Sequence, residues 1–201
     1  MTIDELRGDR FELLDELHYD DLITFAARYF FEKTSWITRL HHLLSLIALA
    51  AVIAAAIMHD ITWMAALAQF AAGFLVMFTV VLPLHEGLHA LAYRMAGARE
   101  IRWKMLWRYL AAYVVAERFV AGRGVFFVVA LAPFVVITPL AIVLALLFPG
   151  WSVLWLTMLL WHTAGVSGDW ALMNYYWHHR DRELYTWDEG GRSFFYARVR
   201  P

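Results

Sequence analysis

A run of residues without a charged side chain extends from 61 to 84 and ends in the motif HEGLH at residues 85–89. This motif has the pattern H-E-x-x-H. On a helix its two histidines lie on one face, where both imidazoles can bind a single zinc ion. The glutamate lies beside the metal and can take a proton from a water molecule. The apolar run continues through residues 90–93. The sequence therefore predicts a zinc site built within a membrane.

Composition also favours a membrane protein. Of the 201 residues, 62% are hydrophobic and 17% are charged, whereas a soluble domain carries about 25% charged residues. We therefore expect a small polytopic protein with one membrane domain. The acidic N-terminus lacks the apolar core of a cleavable signal peptide. The net charge is −1 and no basic block is present, so we expect no nucleic-acid partner. Because the chain has no cysteine, its metal ligands must be histidine, aspartate, glutamate or water.

Four apolar runs are long enough to cross a bilayer, which takes about 20 helical residues. We predict spanning helices at residues 40–58, 62–95, 124–148 and 151–177. The second is longer than one crossing requires, so its end should tilt or project into the interface. Pro83 lies inside this helix. It either kinks the helix next to the motif for a functional reason or is an ordinary membrane-helix kink.

The positions of the basic residues predict the orientation of these helices. Of the 17 lysines and arginines, five precede helix one, seven lie between residue 94 and helix three, and five follow helix four. The positive-inside rule then places both termini and the central loop in the cytoplasm. We expect the membrane domain, residues 40–178, to lie in the cytoplasmic membrane of a prokaryote. It would be flanked by a cytoplasmic N-terminal segment (1–39) and a cytoplasmic tail (179–201).

The N-terminal segment combines acidic residues with apolar residues at helical spacing. We interpret it as one or two amphipathic helices on the cytoplasmic face of the membrane. The apolar positions of these helices would be Leu13, Leu14, Leu17, Leu22, Phe25 and Tyr29. The acidic residues between them would form a solvated face.

The segment between helices two and three has a different pattern. Apolar and basic residues alternate along 101–108, with the apolar positions at Ile101, Trp103, Met105 and Trp107. A period of two residues indicates a β-strand. A second β-prone run follows at 110–116, which predicts a possible β-hairpin at the cytoplasmic interface or dipping into the membrane. The alternative is an aromatic belt that only anchors the chain at the interface.

A hydrolytic zinc site usually has three protein ligands, and Asp169 is the best candidate for the third. Counted from the arginine at the end of each helix, Asp169 lies about 16 Å and His85 about 13 Å inside, so their depths match. The small residues Gly165 and Gly168 should let another helix approach closely. An aspartate within a membrane costs a few kcal/mol unless it is paired or coordinated, and metal binding would offset that cost.

The remaining histidines are weaker candidates for the metal site. His162 lies on the same face as Asp169, two turns away, and three roles stay open for it. It is an outer partner of the metal ligands, a donor to the oxyanion or substrate, or a histidine satisfied in the core. His41 opens helix one, where we expect it to reach toward the interface.

Several motifs together resemble a known family. They occur in the order HEGLHALAY (85–93), a strand-rich segment, Ala-Pro-Phe (132–134), Ser-Gly-Asp (167–169) and Trp-Asp-Glu-Gly-Gly (187–191). This order looks like that of a membrane family of unknown function, the putative zincin peptidases. That family is similar to the site-2-protease intramembrane metalloproteases. The resemblance covers approximately residues 74–196.

The resemblance implies a role for each residue of the predicted site. His85 and His89 would be zinc ligands, Asp169 the third ligand and Glu86 the catalytic base. Ser-Gly-Asp-Trp stands where site-2 proteases usually carry Asn-Pro-x-Pro-Asp-Gly or Leu-Asp-Gly, and it suits the zincin family rather than the better-known group.

The leading hypothesis is an intramembrane zinc metalloprotease with one zinc ion per chain. Its substrate would be a membrane protein or membrane-proximal peptide, and the strand at 101–108 would hold that substrate by β-addition. The alternative is an inactive, metal-binding membrane scaffold. A third reading, a haem-binding redox protein, would use histidines from different helices but has no role for the glutamate of the motif.

Overall fold

The computed structural model describes residues 1–106 and 111–199, and these are mostly helical. In this part of the chain, three helices are long and apolar enough to cross a membrane, namely Trp36–Met58, Trp63–Met95 and Arg123–Leu147. Their side chains include many exposed leucines, isoleucines and phenylalanines. Such an apolar surface suits a lipid environment, and the coarse prediction of a mostly helical protein with candidate spanning helices is confirmed.

The helices form a bundle that is built around α7. In chain order they are α1 (Ile3–Leu6), α2 (Leu22–Ala27), α3 (Trp36–Met58), α4 (Trp63–Val76), α5 (Leu82–Met95), α6 (Arg123–Leu147), α7 (Ser152–Gly165) and α8 (Ser167–His178). Helix α7 packs against α3, α4 and α6. Short 3₁₀ turns precede α2 and α7, and a π-helical turn, Arg28–Glu32, follows α2.

The predicted fourth span is not one continuous helix. It is divided at Val166 into α7 and α8, of 14 and 12 residues, and neither is long enough to cross a bilayer alone. The break lies in Gly165-Val166-Ser167-Gly168, where two glycines and a serine give the helix little intrinsic support. Thus three of the four predicted spans correspond to candidate spanning helices among the described residues, and the fourth stays a prediction. The break starts a new helix just before Asp169.

Helices α4 and α5 form one long helix interrupted by a π-helical turn, Met77–Val81. Pro83 lies in the first turn of α5, directly after the π-helical turn, and has no N–H to donate. The residue four positions earlier, Thr79, loses the amide that would bond to its carbonyl. The helical hydrogen-bond pattern therefore changes immediately before the HEGLH motif. Single π-helical turns inside α-helices are frequent at functional sites.

Six strands among the described residues form one sheet in the order β1-β6-β5-β3-β2, with β4 also paired to β5. Their bounds are β1 (Phe11–His18), β2 (Glu100–Leu106), β3 (Ala111–Glu117), β4 (Ala121–Gly122), β5 (Leu184–Glu189) and β6 (Arg192–Arg198). The sheet thus gathers the N-terminal segment, the central loop and the C-terminal segment on one side of the bundle.

The helical interpretation of the N-terminal segment is wrong for residues 11–18, which form β1. This strand pairs antiparallel with β6. The hydrogen bonds to β6 stabilise a strand here although the leucines have helical spacing. Its acidic residues are not merely solvated, since Glu12 and Glu16 form ion pairs with arginines near β6 and Asp15 accepts a hydrogen bond from Tyr175. The later apolar positions do lie on helical turns, in α2 and the π-helical turn after it.

Strands β2 and β3 pair antiparallel from Glu100 opposite Glu117 to Leu106 opposite Ala111. The loop between them, which contains the predicted position Trp107, lies outside the described residues. On its other side β3 pairs with β5 in parallel at one position, Glu117 opposite Asp188. Strand β3 also packs against α5. The position of this hairpin relative to a bilayer stays a prediction.

One glycine lies at a close contact between two helices of the bundle. A Cβ atom at Gly73 of α4 would lie 2.6 Å from the Leu154 carbonyl oxygen and 3.0 Å from Thr157 Cβ, both on α7. By contrast, a Cβ at Gly168 would meet no atom within 4 Å, so the expected close approach at that glycine is not present. The small residue that lets two helices meet is on α4 instead.

We predict that Gly73→Ala lowers the free energy of unfolding by about 1–3 kcal/mol, because backbone atoms of α7 cannot move aside cheaply. The measurement is thermal unfolding in detergent. Gly124→Ala is the matched control, since a Cβ at Gly124 meets nothing within 4 Å. Equal stability of the two variants would show that the α4–α7 contact adjusts freely.

Candidate metal centre

The two histidines of the motif lie on one face of α5, as their spacing predicts. Both are buried, and their Nε2 atoms are 3.0 Å apart. The ring of His89 is held from behind, because its Nδ1 lies 2.9 Å from the carbonyl oxygen of Val129 on α6. That contact fixes which edge of the imidazole points into the site.

Asp169 meets both histidines from the first turn of α8. Its Oδ2 atom is 3.4 Å from Nε2 of His85 and 3.4 Å from Nε2 of His89. The position follows from the helix break at Val166, since α8 starts just before Asp169 and a carboxylate is favourable in the first turn of a helix. The structure therefore brings together the three side chains that the sequence analysis proposed as a ligand set, and each offers one ligand atom.

The chemistry of these three atoms favours a cation between them. A carbonyl oxygen only accepts hydrogen bonds, so Nδ1 of His89 carries the proton and Nε2 of neutral His89 carries a lone pair. That lone pair faces the Asp169 carboxylate and the Nε2 atom of His85. Electron-rich atoms so close together repel one another unless a positive charge lies among them.

The spacing of the donors also fits zinc. A tetrahedral zinc ion with bonds of about 2.0–2.1 Å holds its ligand atoms about 3.3–3.4 Å apart. The observed separations are 3.0, 3.4 and 3.4 Å. Two imidazoles and one carboxylate are a common donor set for catalytic zinc, which leaves one position for water.

Glu86 lies next to this cluster but is not part of it. Its Oε1 atom is 3.9 Å from Nε2 of His85, and the side chain is buried. The backbone of Val114 on β3 lies beside this carboxylate. Its Oε2 atom has no hydrogen-bond partner among the described residues. A buried carboxylate oxygen without a partner, at the edge of a donor cluster, is well placed to exchange a proton with a bound water molecule.

A family model matches residues 78–183, more than half of the chain, and describes its members as "Putative zincin peptidase". The chain belongs to this family. Neither the search of curated proteins nor the search of solved structures gave a match. Zincins are zinc peptidases, so the family implies a zinc ion and a metallopeptidase.

In this zincin-family chain, His162 lies behind His85 and away from the donor cluster. Its Nε2 atom is 3.2 Å from Nδ1 of His85, and the side chain is fully buried. His85 can donate its Nδ1 proton to His162 and so keep Nε2 free to bind a metal. Of the open roles for His162, the geometry favours the outer partner that orients a ligand.

The cavity beside the site has a volume of about 440 Å³, which is within the usual range for ligand pockets. Its walls include the motif side chains, residues 112–115 of β3, and apolar residues of α2 and the turn after it. The predicted substrate strand β2, with Ile101, Trp103 and Met105, does not line this cavity. Trp103 instead packs on α5, with its ring 3.8 Å from the position of a Cβ at Gly87. The strand beside the site is β3.

Sequence reasoning missed the role of His41. This residue was expected at the interface, but it is buried, and its Nε2 atom lies 2.8 Å from the carbonyl oxygen of Thr163. That carbonyl is three residues before the helix break, where the regular α-helical bonds end. Since His41 also packs edge-on against Trp170, it connects α3 to both halves of the broken helix. The sequence signal for this buried role was the position of a histidine inside an apolar run.

Asp188 is a second acidic residue that lines the cavity. It lies on β5, outside the spanning helices, and only 9% of it is exposed. Burial raises the pKa of this carboxyl group to about 6, although a hydrogen bond from Ser193 opposes the shift. Because the pKa is raised, the folded protein prefers the protonated form, and stability falls as the pH rises from about 4 through about 6.

We predict that His162→Ala weakens zinc binding about 10–100-fold, the usual cost of losing the partner that orients a ligand. His162→Gln should lose less zinc affinity, because the glutamine amide oxygen can accept the same hydrogen bond from His85. Zinc affinity is measured by competition with a chelator. His59→Ala, an exposed loop histidine, is the control. If His162→Ala binds zinc as tightly as the control, His162 has no orienting role.

We further predict that Asp188→Asn unfolds at a higher temperature than the wild type at pH 8. The gain should be about 1–3 kcal/mol, since one pKa unit corresponds to about 1.4 kcal/mol. It should vanish below about pH 3, where Asp188 is protonated in both folded and unfolded protein. Thermal unfolding across this pH range tests this, with Asp9→Asn, an exposed acid, as the control. A gain that does not depend on pH would contradict the assignment.

Proposed function

We propose that the protein is an intramembrane zinc metalloprotease that binds one zinc ion per chain through His85, His89 and Asp169. The observation that carries this proposal is the convergence of the three ligand atoms beside Glu86, with both histidines on a helix apolar enough to cross a membrane. A zinc ion in this position supplies a Lewis acid that polarises the scissile carbonyl and makes water more acidic.

Glu86 is the proton carrier of the proposed reaction. Its free Oε2 atom accepts a proton from the attacking water and delivers it to the amine nitrogen that leaves. The backbone of Val114 lies beside the carboxylate, so Glu86 is next to the strand proposed to hold the substrate. His162 keeps the ligating edge of His85 turned toward the site.

An extended segment of a membrane protein or membrane-proximal peptide is the proposed substrate. A helix hides its carbonyl groups in hydrogen bonds, whereas an extended chain exposes them. Strand β3 is now the better candidate to hold this segment than β2, because residues 112–115 line the cavity and Val114 contacts Glu86. Among the described residues, no strand pairs with that edge of β3 before Glu117, so its backbone is available for β-addition.

The proposed setting resembles that of the site-2 proteases. The sheet gathers the N-terminal segment, the central loop and the C-terminal segment, and these are the three parts that carry the basic residues. By the positive-inside rule we assign this side to the cytoplasm of a prokaryotic cell. Water would then reach the metal from the cytoplasmic side.

The first test is zinc content by mass spectrometry on detergent-purified wild type, His85→Ala, Asp169→Ala and Glu86→Gln. We expect about one zinc per chain in the wild type and in Glu86→Gln, and loss of zinc in the two ligand variants. His59→Ala is the control for loss of an unrelated histidine. Well-folded wild type that binds no zinc would overturn the metal site.

The second test compares cleavage of a peptide library by zinc-loaded wild type and Glu86→Gln in lipid vesicles. Loss of a general base should lower turnover by about 10²–10⁴-fold while zinc stays bound. A zinc-loaded wild type that cleaves no better than Glu86→Gln would favour the inactive scaffold.

A further inference from the structure

A second polar cluster lines the same cavity as the metal-site residues. It consists of Tyr19, Asp188 and Ser193, and we call it the Asp188 cluster. Its members come from the turn after β1 and from the β5–β6 hairpin. Tyr93 of α5 also lines this cavity and is within electrostatic range of both Asp188 and Asp169. One bound molecule can therefore contact both groups of residues.

Asp188 has no cation of its own among the described residues, since no basic side chain there forms an ion pair with it. The nearby arginines are engaged elsewhere: Arg118 pairs with Glu189, and Arg102 pairs with Glu117. Lys104 lies over the ring of Tyr19, with its Nζ atom 5.8 Å from the ring centroid. The closest charged influence on Asp188 is that of Glu117, which is repulsive.

The hydrogen-bonding groups of the cluster are incompletely used. Ser193 donates to Oδ1 of Asp188 across the β5–β6 pair. Tyr19 is 7% exposed, and its hydroxyl is directed toward Asp188 and Ser193 but completes no hydrogen bond among the described residues. The cluster thus presents oxygen atoms that can all accept hydrogen bonds from one donor group.

A purely structural role for Asp188 does not explain this arrangement. One hydrogen bond to Ser193 contributes little to stability, whereas burying a carboxylate without a cation costs considerably more. An asparagine or threonine at position 188 could form a hydrogen bond across the hairpin without that cost. A buried acid with acceptor neighbours, opening on a ligand-sized cavity, is instead complementary to a positively charged ligand group.

We propose that the Asp188 cluster is a substrate subsite that binds a cationic group of the peptide, either a lysine or arginine side chain or the peptide's amino terminus. This inference rests on the proposed function, because it names the class of peptide that the metal site would cleave. The cation donates hydrogen bonds to Asp188 and Tyr19 while the scissile bond lies beside Glu86. Basic peptides are then preferred over otherwise identical neutral ones.

The test measures binding to full-length, zinc-loaded Glu86→Gln protein, in which no cleavage occurs. The probes are fluorescent nonapeptides of alanine and valine, N-acetylated and C-amidated, in which a single lysine occupies each position in turn. Each has a norleucine twin, and a further pair has a free amino terminus and no lysine. We expect about tenfold tighter binding for lysine at one position, or for the free amino terminus, and the same advantage in an Asp9→Asn control, which changes an exposed acid.

Asp188→Asn in the same background should abolish the advantage while norleucine peptides bind as before. Tyr19→Phe and Ser193→Ala each remove one acceptor and should reduce the advantage several-fold, which keeps the test decisive if Asp188→Asn does not fold. Equal binding of charged and neutral peptides, or an advantage that survives Asp188→Asn, overturns the subsite. Cleavage is scored separately with wild type, so an inactive enzyme overturns the proposed function without deciding the subsite.

Discussion

Polar groups within apolar helices must find their partners inside the protein, and this constraint shapes the whole arrangement around α8. The break at Val166 leaves the Thr163 carbonyl near the end of α7, where His41 binds it. Helix α8 can then begin in a new position, with Asp169 in its first turn. Asp169 in turn meets two imidazoles that are themselves held by Val129 and His162. Each polar group in this chain of contacts fixes the next one.

The sequence predicted the chemistry of the site better than its architecture. HEGLH has a fixed geometry on a helix, so the placement of His85 and His89 follows from local structure alone. Asp169 was identified because its depth along its helix matches that of His85, and because a carboxylate deep in an apolar run needs a compensating partner. The reason given for its close approach was wrong, however. Gly165 and Gly168 matter through the helix break, and the close helix contact is made by Gly73 on α4.

Long-range strand pairing accounts for most of the errors. Leu13, Leu14 and Leu17 have the spacing of a helix, yet residues 11–18 form a strand because β6 offers hydrogen bonds from almost the other end of the chain. No local pattern contains that information. For the same reason the role of Asp188 was not predicted. Its position in the cavity depends on how β5, β3 and the turn at Tyr19 come together, whereas a tail sequence alone suggests only a surface turn.

The pairing of β1 with β6 has a consequence for how the protein matures. Strand β1 is made early during synthesis and β6 late, so the sheet between them cannot close until the spanning helices and β5 have left the ribosome. The segment after β1 forms one wall of the cavity, and residues of β5 and β6 form another. The candidate ligands on α5 and α8 therefore leave the ribosome before the last strands of the chamber around them. A nascent chain thus carries all three candidate ligands before it has the strands that enclose the cavity.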